Sequence, residues 1–243
     1  MRAYSNPNLT KDIFTREIRA HQAADNYIQG TYWNDRTSRG CAIGCAVETI
    51  NRCLGVSYEP GDHQAIADTL DVAVELLHVH DAIFEGLPKA AALDWPLRFA
   101  EAISVGADTS AVWPRFAAWV LRAIVLPTVP PAEHATRAAI ERVANGMATN
   151  WAHDDRGKAL HDVETPQADD AVFAVWNAAM SAAWVARTTP YALNRAVLMA
   201  ARTTAHGSRR VDKTNSSAAW NAAEHTACIR MADQLVAILK ECR

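Results

Sequence analysis

The densest group of reactive side chains is Gly40-Cys41-Ala-Ile-Gly44-Cys45, with two thiols four residues apart. On a helix this spacing puts both on one face, and a helix N-terminus favours the thiolate through its unpaired N–H groups and dipole. A thiolate either binds a soft metal or attacks a carbonyl carbon. In the metal reading Cys41, Cys45 and His63 bind zinc, and His21, His80 or Asp81 completes the shell, because zinc takes four sulfur, nitrogen or oxygen donors. In the nucleophile reading Cys41 or Cys45 attacks, His63 or His21 acts as base, and Asp25 or Asp81 orients it. The third reading is packing, since a buried cysteine also serves as a small hydrophobe.

Three further segments carry polar chemistry. Phe14, Ile18, His21, Asp25 and Ile28 recur at helical spacing, so His21 and Asp25 interrupt an apolar seam. Buried there, they need each other or a ligand, because an unpartnered buried polar group costs about 1–3 kcal/mol. In Glu75-Leu-Leu-His78-Val-His80-Asp81 the two histidines point apart on a helix, His80 toward Leu77 and Phe84 and His78 toward Val74 and Asp81. The loop His206-Gly-Ser-Arg209-Arg210-Val-Asp-Lys213 concentrates positive charge, but no aromatic residue is interleaved with it. It therefore reads as a solvated tip rather than a nucleic-acid surface.

The elements that must position these groups read as helices almost throughout. The first is expected from Thr10 to Gln29, ended by Gly30, and the second from Ala42 to Leu54, ended by Gly55. Asp62 caps a short helix carrying His63 and Ile66, and after a break near Leu70 another runs to Glu85 before Gly86-Leu87-Pro88. Asp94-Trp95-Pro96 reads as the next start, and a further helix spans Trp113 to Leu126. Pro127-Thr-Val-Pro-Pro131 marks the expected boundary between residues 1–126 and an alanine-rich region, 132–243. Helices are expected there over 132–145, 166–187, 190–204 and 216–240. Phe173, Trp176, Met180 and Trp184 form a core stripe on the second of them.

The chain has 243 residues, of which 50% are hydrophobic and 21% charged, so it can bury a sizeable core. Its 24 Lys+Arg against 27 Asp+Glu give a net charge of -3, which excludes binding nucleic acid by bulk charge. Five cysteines, three of them crowded between Cys41 and Cys53, do not form a disulfide framework. The first ten residues carry no apolar signal stretch, and the most apolar window, 112–129, is broken by Pro114, Arg115, Arg122 and Pro127. A cytoplasmic, non-membrane protein is expected.

Tyr27-Ile-Gln-Gly30-Thr-Tyr-Trp33, Arg39-Gly-Cys41-Ala-Ile-Gly-Cys45, His63 and Asp81-Ala-Ile-Phe84-Glu-Gly86-Leu-Pro88 together resemble a family of uncharacterised bacterial and phage proteins. The resemblance covers about the first half of the chain and implies an alanine-rich tail, without assigning an activity. This chain carries Ala46-Val47-Glu48 where a histidine is common in that family. Gln29 before Cys41 gives a weaker likeness to papain-like peptidases, whose histidine sits on a sheet, whereas no strand is expected here after Leu54.

The expectation is an all-α multi-helix bundle whose first half gathers His21, Asp25, Cys41, Cys45, His63 and Asp81 into a polar site. The leading reading is a zinc-binding protein, and the alternative is a cysteine-dependent hydrolase or acyltransferase. A third is a phage or bacterial accessory protein whose alanine-rich helices meet a protein partner or a second copy.

Overall fold

The computed structural model describes residues 1–148, 197, 200–202, 204 and 217–242. The fold is all-α. In chain order the described elements are α1 (Lys11–Ala23), a two-residue hairpin of β1 (Trp33–Asn34) and β2 (Arg39–Gly40), α2 (Ala42–Leu54), α3 (His63–Leu70), α4 (Val74–Gly86) and α5 (Lys89–Ala102). Then follow α6 (Val112–Val120), a π-helical turn (Leu121–Val125), a 3-10 turn (Leu126–Thr128), α7 (His134–Ala148) and α8 (Ser217–Glu241). The expected helices over 166–187 and 190–204 fall wholly or largely outside the described residues, as do the aromatic stripe and the basic loop at 206–213. Val197, Ala200, Ala201, Arg202 and Thr204 are described and are helical.

The chain divides into two compact units, Met1–Val112 with Ala232–Arg243, and Trp113–Met231. In the first, α1 packs on α2 and α5, α2 on α3 and α4, and α4 on both α3 and α5. Trp95, Phe84, Ile43, Ile50, Leu76, Ile83 and Ile18 are fully buried between them. This core is aliphatic with aromatic anchors, and each such side chain contributes about 1.5–3 kcal/mol on burial. The Lys11 ammonium donates to the carbonyls of Glu101 (2.8 Å) and Ile103 (2.7 Å), satisfying orphan acceptors at the end of α5. Arg98 pairs with Asp233 at 2.7 Å, tying the last turns of α8 to α5.

In the second unit α7 packs on the π-helical turn. Arg137 Nη1 donates to the carbonyls of Leu126 (3.1 Å) and Val129 (2.7 Å), where prolines cannot extend the helical ladder. The proline cluster at 127–131 thus separates a turn from a helix inside this unit.

Two helix limits differ from the sequence expectation for physical reasons. α1 stops at Ala23 because Asp25 takes the left-handed conformation (φ 51°), which Asp tolerates better than most residues; Gly30, also left-handed, lies in the loop beyond. α5 starts at Lys89, directly after Pro88 as its N-cap, and Pro96 sits inside the helix instead of opening it. The two-residue junction at Leu87-Pro88 lets one proline end α4 and begin α5.

Candidate metal centre

Cys41 is the N-cap of α2, in extended conformation. Its backbone N–H donates to the carbonyls of Thr31 (2.7 Å) and Tyr32 (3.1 Å), which ties the 27–33 loop onto the start of the helix. Glycine is needed on both sides of it. A Cβ on Gly44 would stand 1.5 Å from the Tyr32 carbonyl oxygen and one on Gly40 2.0 Å, so the backbone can approach only where both side chains are absent. The Gly-Cys-x-x-Gly-Cys element is therefore a docking surface for Tyr32's carbonyl that also fixes Cys41.

Asp81 and Glu85, one turn apart on α4, face the same thiol. Ligating atoms of Cys41, Asp81 and Glu85 all lie within 4.8 Å of one another, and Cys41 is only 1% exposed. Glu85 accepts a hydrogen bond from the Gly30 N–H at 2.8 Å. Gln29 Nε2 donates to the carbonyls of Phe84 (2.7 Å), Leu87 (2.9 Å) and Glu85 (3.3 Å), so the 27–33 loop holds the end of α4 that carries Glu85.

His63, the first residue of α3, joins the cluster at its edge. Its Nδ1 donates to the Gly61 carbonyl at 2.8 Å, which leaves Nε2 facing Asp81 Oδ2 at 3.4 Å. The side chains of His63 and Asp81 are 8% and 7% exposed. Yet His63 Nε2 and Asp81 Oδ1 have no hydrogen-bond partner among the described residues. The His63 ring stacks on His78 (4.1 Å between centroids, 16° between planes) and meets the edge of Tyr32 at 6.1 Å.

The electrostatics follow from crowding of acids in a partly dry site. Burial and the neighbouring Asp81 push the Cys41 thiol well above its ordinary range, against the pull of the Ile43 and Gly44 N–H groups. Glu85 is raised to about 7, mainly by burial and then by Asp81, despite its bond from Gly30. Each proton kept on Cys41 or Glu85 relieves repulsion among three potential anions. A divalent cation would relieve it outright, since it deprotonates a coordinating thiol and reverses the local preference.

The residues expected from the sequence are only partly brought together. Of these, Asp81 stands next to both Cys41 and His63, whereas His63 lies outside the set of mutually close ligating atoms and reaches it through Asp81. Cys45 is fully buried, its thiol donating to the Gly40 carbonyl at 3.6 Å and pushed up to about 12 chiefly by burial. His21 lies against Thr49 (Nε2 to Oγ1, 3.0 Å) and the rings of Tyr27 and Trp33, and burial lowers its pKa. Asp25 leaves the α1 seam because the helix ends before it, and pairs with Arg39 at 3.0 Å on the surface. His80 is a core histidine stacked on Phe99 at 4.2 Å.

Sequence reasoning missed Glu85, whose i, i+4 spacing from Asp81 is a legible signal of a shared helix face. It also missed His78, assigned to the Asp81 side but not placed beside His63. Comparison with family models, with curated proteins and with solved structures finds no match to this chain.

Proposed function

We propose that the protein binds one divalent transition metal, zinc by the character of its donors, at Cys41, Asp81 and Glu85, with His63 Nε2 beside Asp81. A thiolate with carboxylate oxygens and an imidazole nitrogen is a donor set suited to zinc. The carrying observation is that two polar atoms on side chains more than nine-tenths buried, His63 Nε2 and Asp81 Oδ1, lack hydrogen-bond partners among the described residues, and Asp81 stands next to a buried thiol and a second carboxylate. Burying polar groups in this way costs free energy unless something bonds them. The retained proton on Cys41 and its burial count against a resting nucleophilic thiolate, which is the requirement of the hydrolase alternative.

Elemental analysis of protein purified without added metal, followed by competition against a chromogenic zinc chelator, tests the proposal. One equivalent of metal is expected in the wild type and much less than one in Cys41→Ser and Asp81→Asn, with helix content unchanged. A wild-type protein that neither carries nor takes up stoichiometric metal overturns it.

A further inference from the structure

A cleft of about 310 Å³ opens in the first unit between the 27–29 segment, Arg39 and the junction of α4 with α5. Its apolar wall is made by Tyr27, Ile28, Phe84 and Leu93, with the Tyr27 and Phe84 rings edge to face at 6.1 Å. Two cations, Arg39 and Lys89, line it, and no carboxylate does so among the described residues. This size is at the lower end of the range of about 300–1,000 Å³ typical of small-molecule sites, which combine an apolar lining with a few polar groups.

The charges are incompletely compensated. Arg39 Nη2 pairs with Asp25, a carboxylate 65% exposed and outside the cleft lining, while Arg39 Nε is sealed from solvent without an acceptor among the described residues. Lys89 is exposed at the first residue of α5, where a cation also meets an unfavourable helix dipole. The third polar lining group, Gln29, has its amide N–H groups committed to the end of α4 and acts as a fixed wall. An anion entering here gains two cationic partners, and an attached apolar body covers the aromatic side.

We infer that this cleft binds a small organic anion, a carboxylate or phosphate on an apolar body, with Arg39 and Lys89 as its charge partners. The inference is independent of the metal centre, and its test uses no metal-dependent readout. Ligand-observed NMR titrations of the full chain compare benzoate and phenyl phosphate with benzamide, their neutral counterpart. At least one anion is expected to bind saturably and at least tenfold more tightly than benzamide, because charge-assisted hydrogen bonds are roughly twice as strong as neutral ones. The tighter of the two distinguishes carboxylate from phosphate. Lys89→Ala, at an exposed position that leaves the fold intact, and Arg39→Gln are each expected to weaken that anion severalfold while leaving benzamide unchanged. Equal binding of anions and benzamide, no saturable binding of either anion, or an unchanged anion affinity in Lys89→Ala overturns the inference.

Discussion

His63 Nε2 stands 3.4 Å from Asp81 Oδ2 while its Nδ1 is committed to the Gly61 carbonyl. With Nδ1 as the donor, a neutral ring presents a lone pair, not a proton, to the carboxylate. That contact is unfavourable unless a proton or a metal ion joins the two sides. Asp81→Asn separates a metal site from a purely structural pair. An amide at position 81 can donate to His63 Nε2, so the metal-free variant is expected to melt no lower than wild type while its metal affinity falls at least 100-fold. Thermal melts in chelator, paired with a zinc competition titration, check both halves. A lower melting temperature with undiminished metal affinity contradicts the assignment.

Metal removal has its own signature. A ligand that binds only the folded chain stabilises it by RT ln(1 + [L]/Kd), about 4 kcal/mol at a thousandfold excess over Kd. Chelation is expected to lower the melting temperature of wild type and to leave Cys41→Ser unmoved. Equal responses to chelator in the two proteins would place any metal elsewhere.

The glycines around Cys41 make a sharper mechanical prediction. Gly44→Ala places a Cβ 1.5 Å from a backbone oxygen that cannot rotate away, so the Tyr32 loop must shift. Gly30, unlike the helical Gly44, has a left-handed φ of 85°, and no described residue lies within 4 Å of its missing Cβ. Gly30→Ala is expected to cost about 1–2 kcal/mol of backbone strain, and Gly44→Ala more than about 3 kcal/mol with loss of the Tyr32 contact. Urea denaturation of the two variants compares them, and equal costs would refute the docking role of Gly44.

Local rules read α2 and α3 well. Gly55 in the left-handed conformation ends α2, and the Asp62 side chain caps α3 by accepting from the Ala65 N–H, both signals carried by single residues. The end of α1 was hidden because Asp25, and not a glycine, took the left-handed position. The site was half legible for the same reason. Cys41 announces itself by type, whereas Glu85 joins it only because Gly30, Gln29 and the Tyr32 carbonyl fold a loop across two helices, a tertiary fact with no local pattern. Spacing and residue type point to His21 and Cys45 as site residues, and in the fold each bonds a nearby group, Thr49 and the Gly40 carbonyl.

Gln29 offers a test of that loop. Its amide donates to carbonyls of α4's last turn and of Leu87, where the helix dipole is negative. Gln29→Ala is expected to destabilise by about 1–2 kcal/mol through unsatisfied carbonyls. Gln29→Glu is expected to cost more, because a carboxylate would face the same acceptors. Denaturant midpoints in the order wild type, alanine, glutamate support the role, and a glutamate variant as stable as wild type contradicts it.

The buried histidine of α4 predicts how the fold responds to acid. His80 is held at about 3 by burial and then by His63, and its Nδ1 has no partner among the described residues while its ring stacks on Phe99. The unfolded chain titrates near 6.5, so between those values the unfolded state binds more protons than the folded one. Stability is therefore complete above about pH 6.5 and is lost as pH falls toward 3, by at most about 5 kcal/mol from this group. His78, lowered to about 4, acts in the same direction but is only half-buried and is screened by solvent. His80→Phe removes the titrating ring and keeps the aromatic stack on Phe99. It is expected to match or exceed wild type at about pH 7.5 and to gain about 2 kcal/mol on it by about pH 5. Urea melts across that range measure the gap, and curves that stay parallel would show that His80 is not the source of the acid sensitivity.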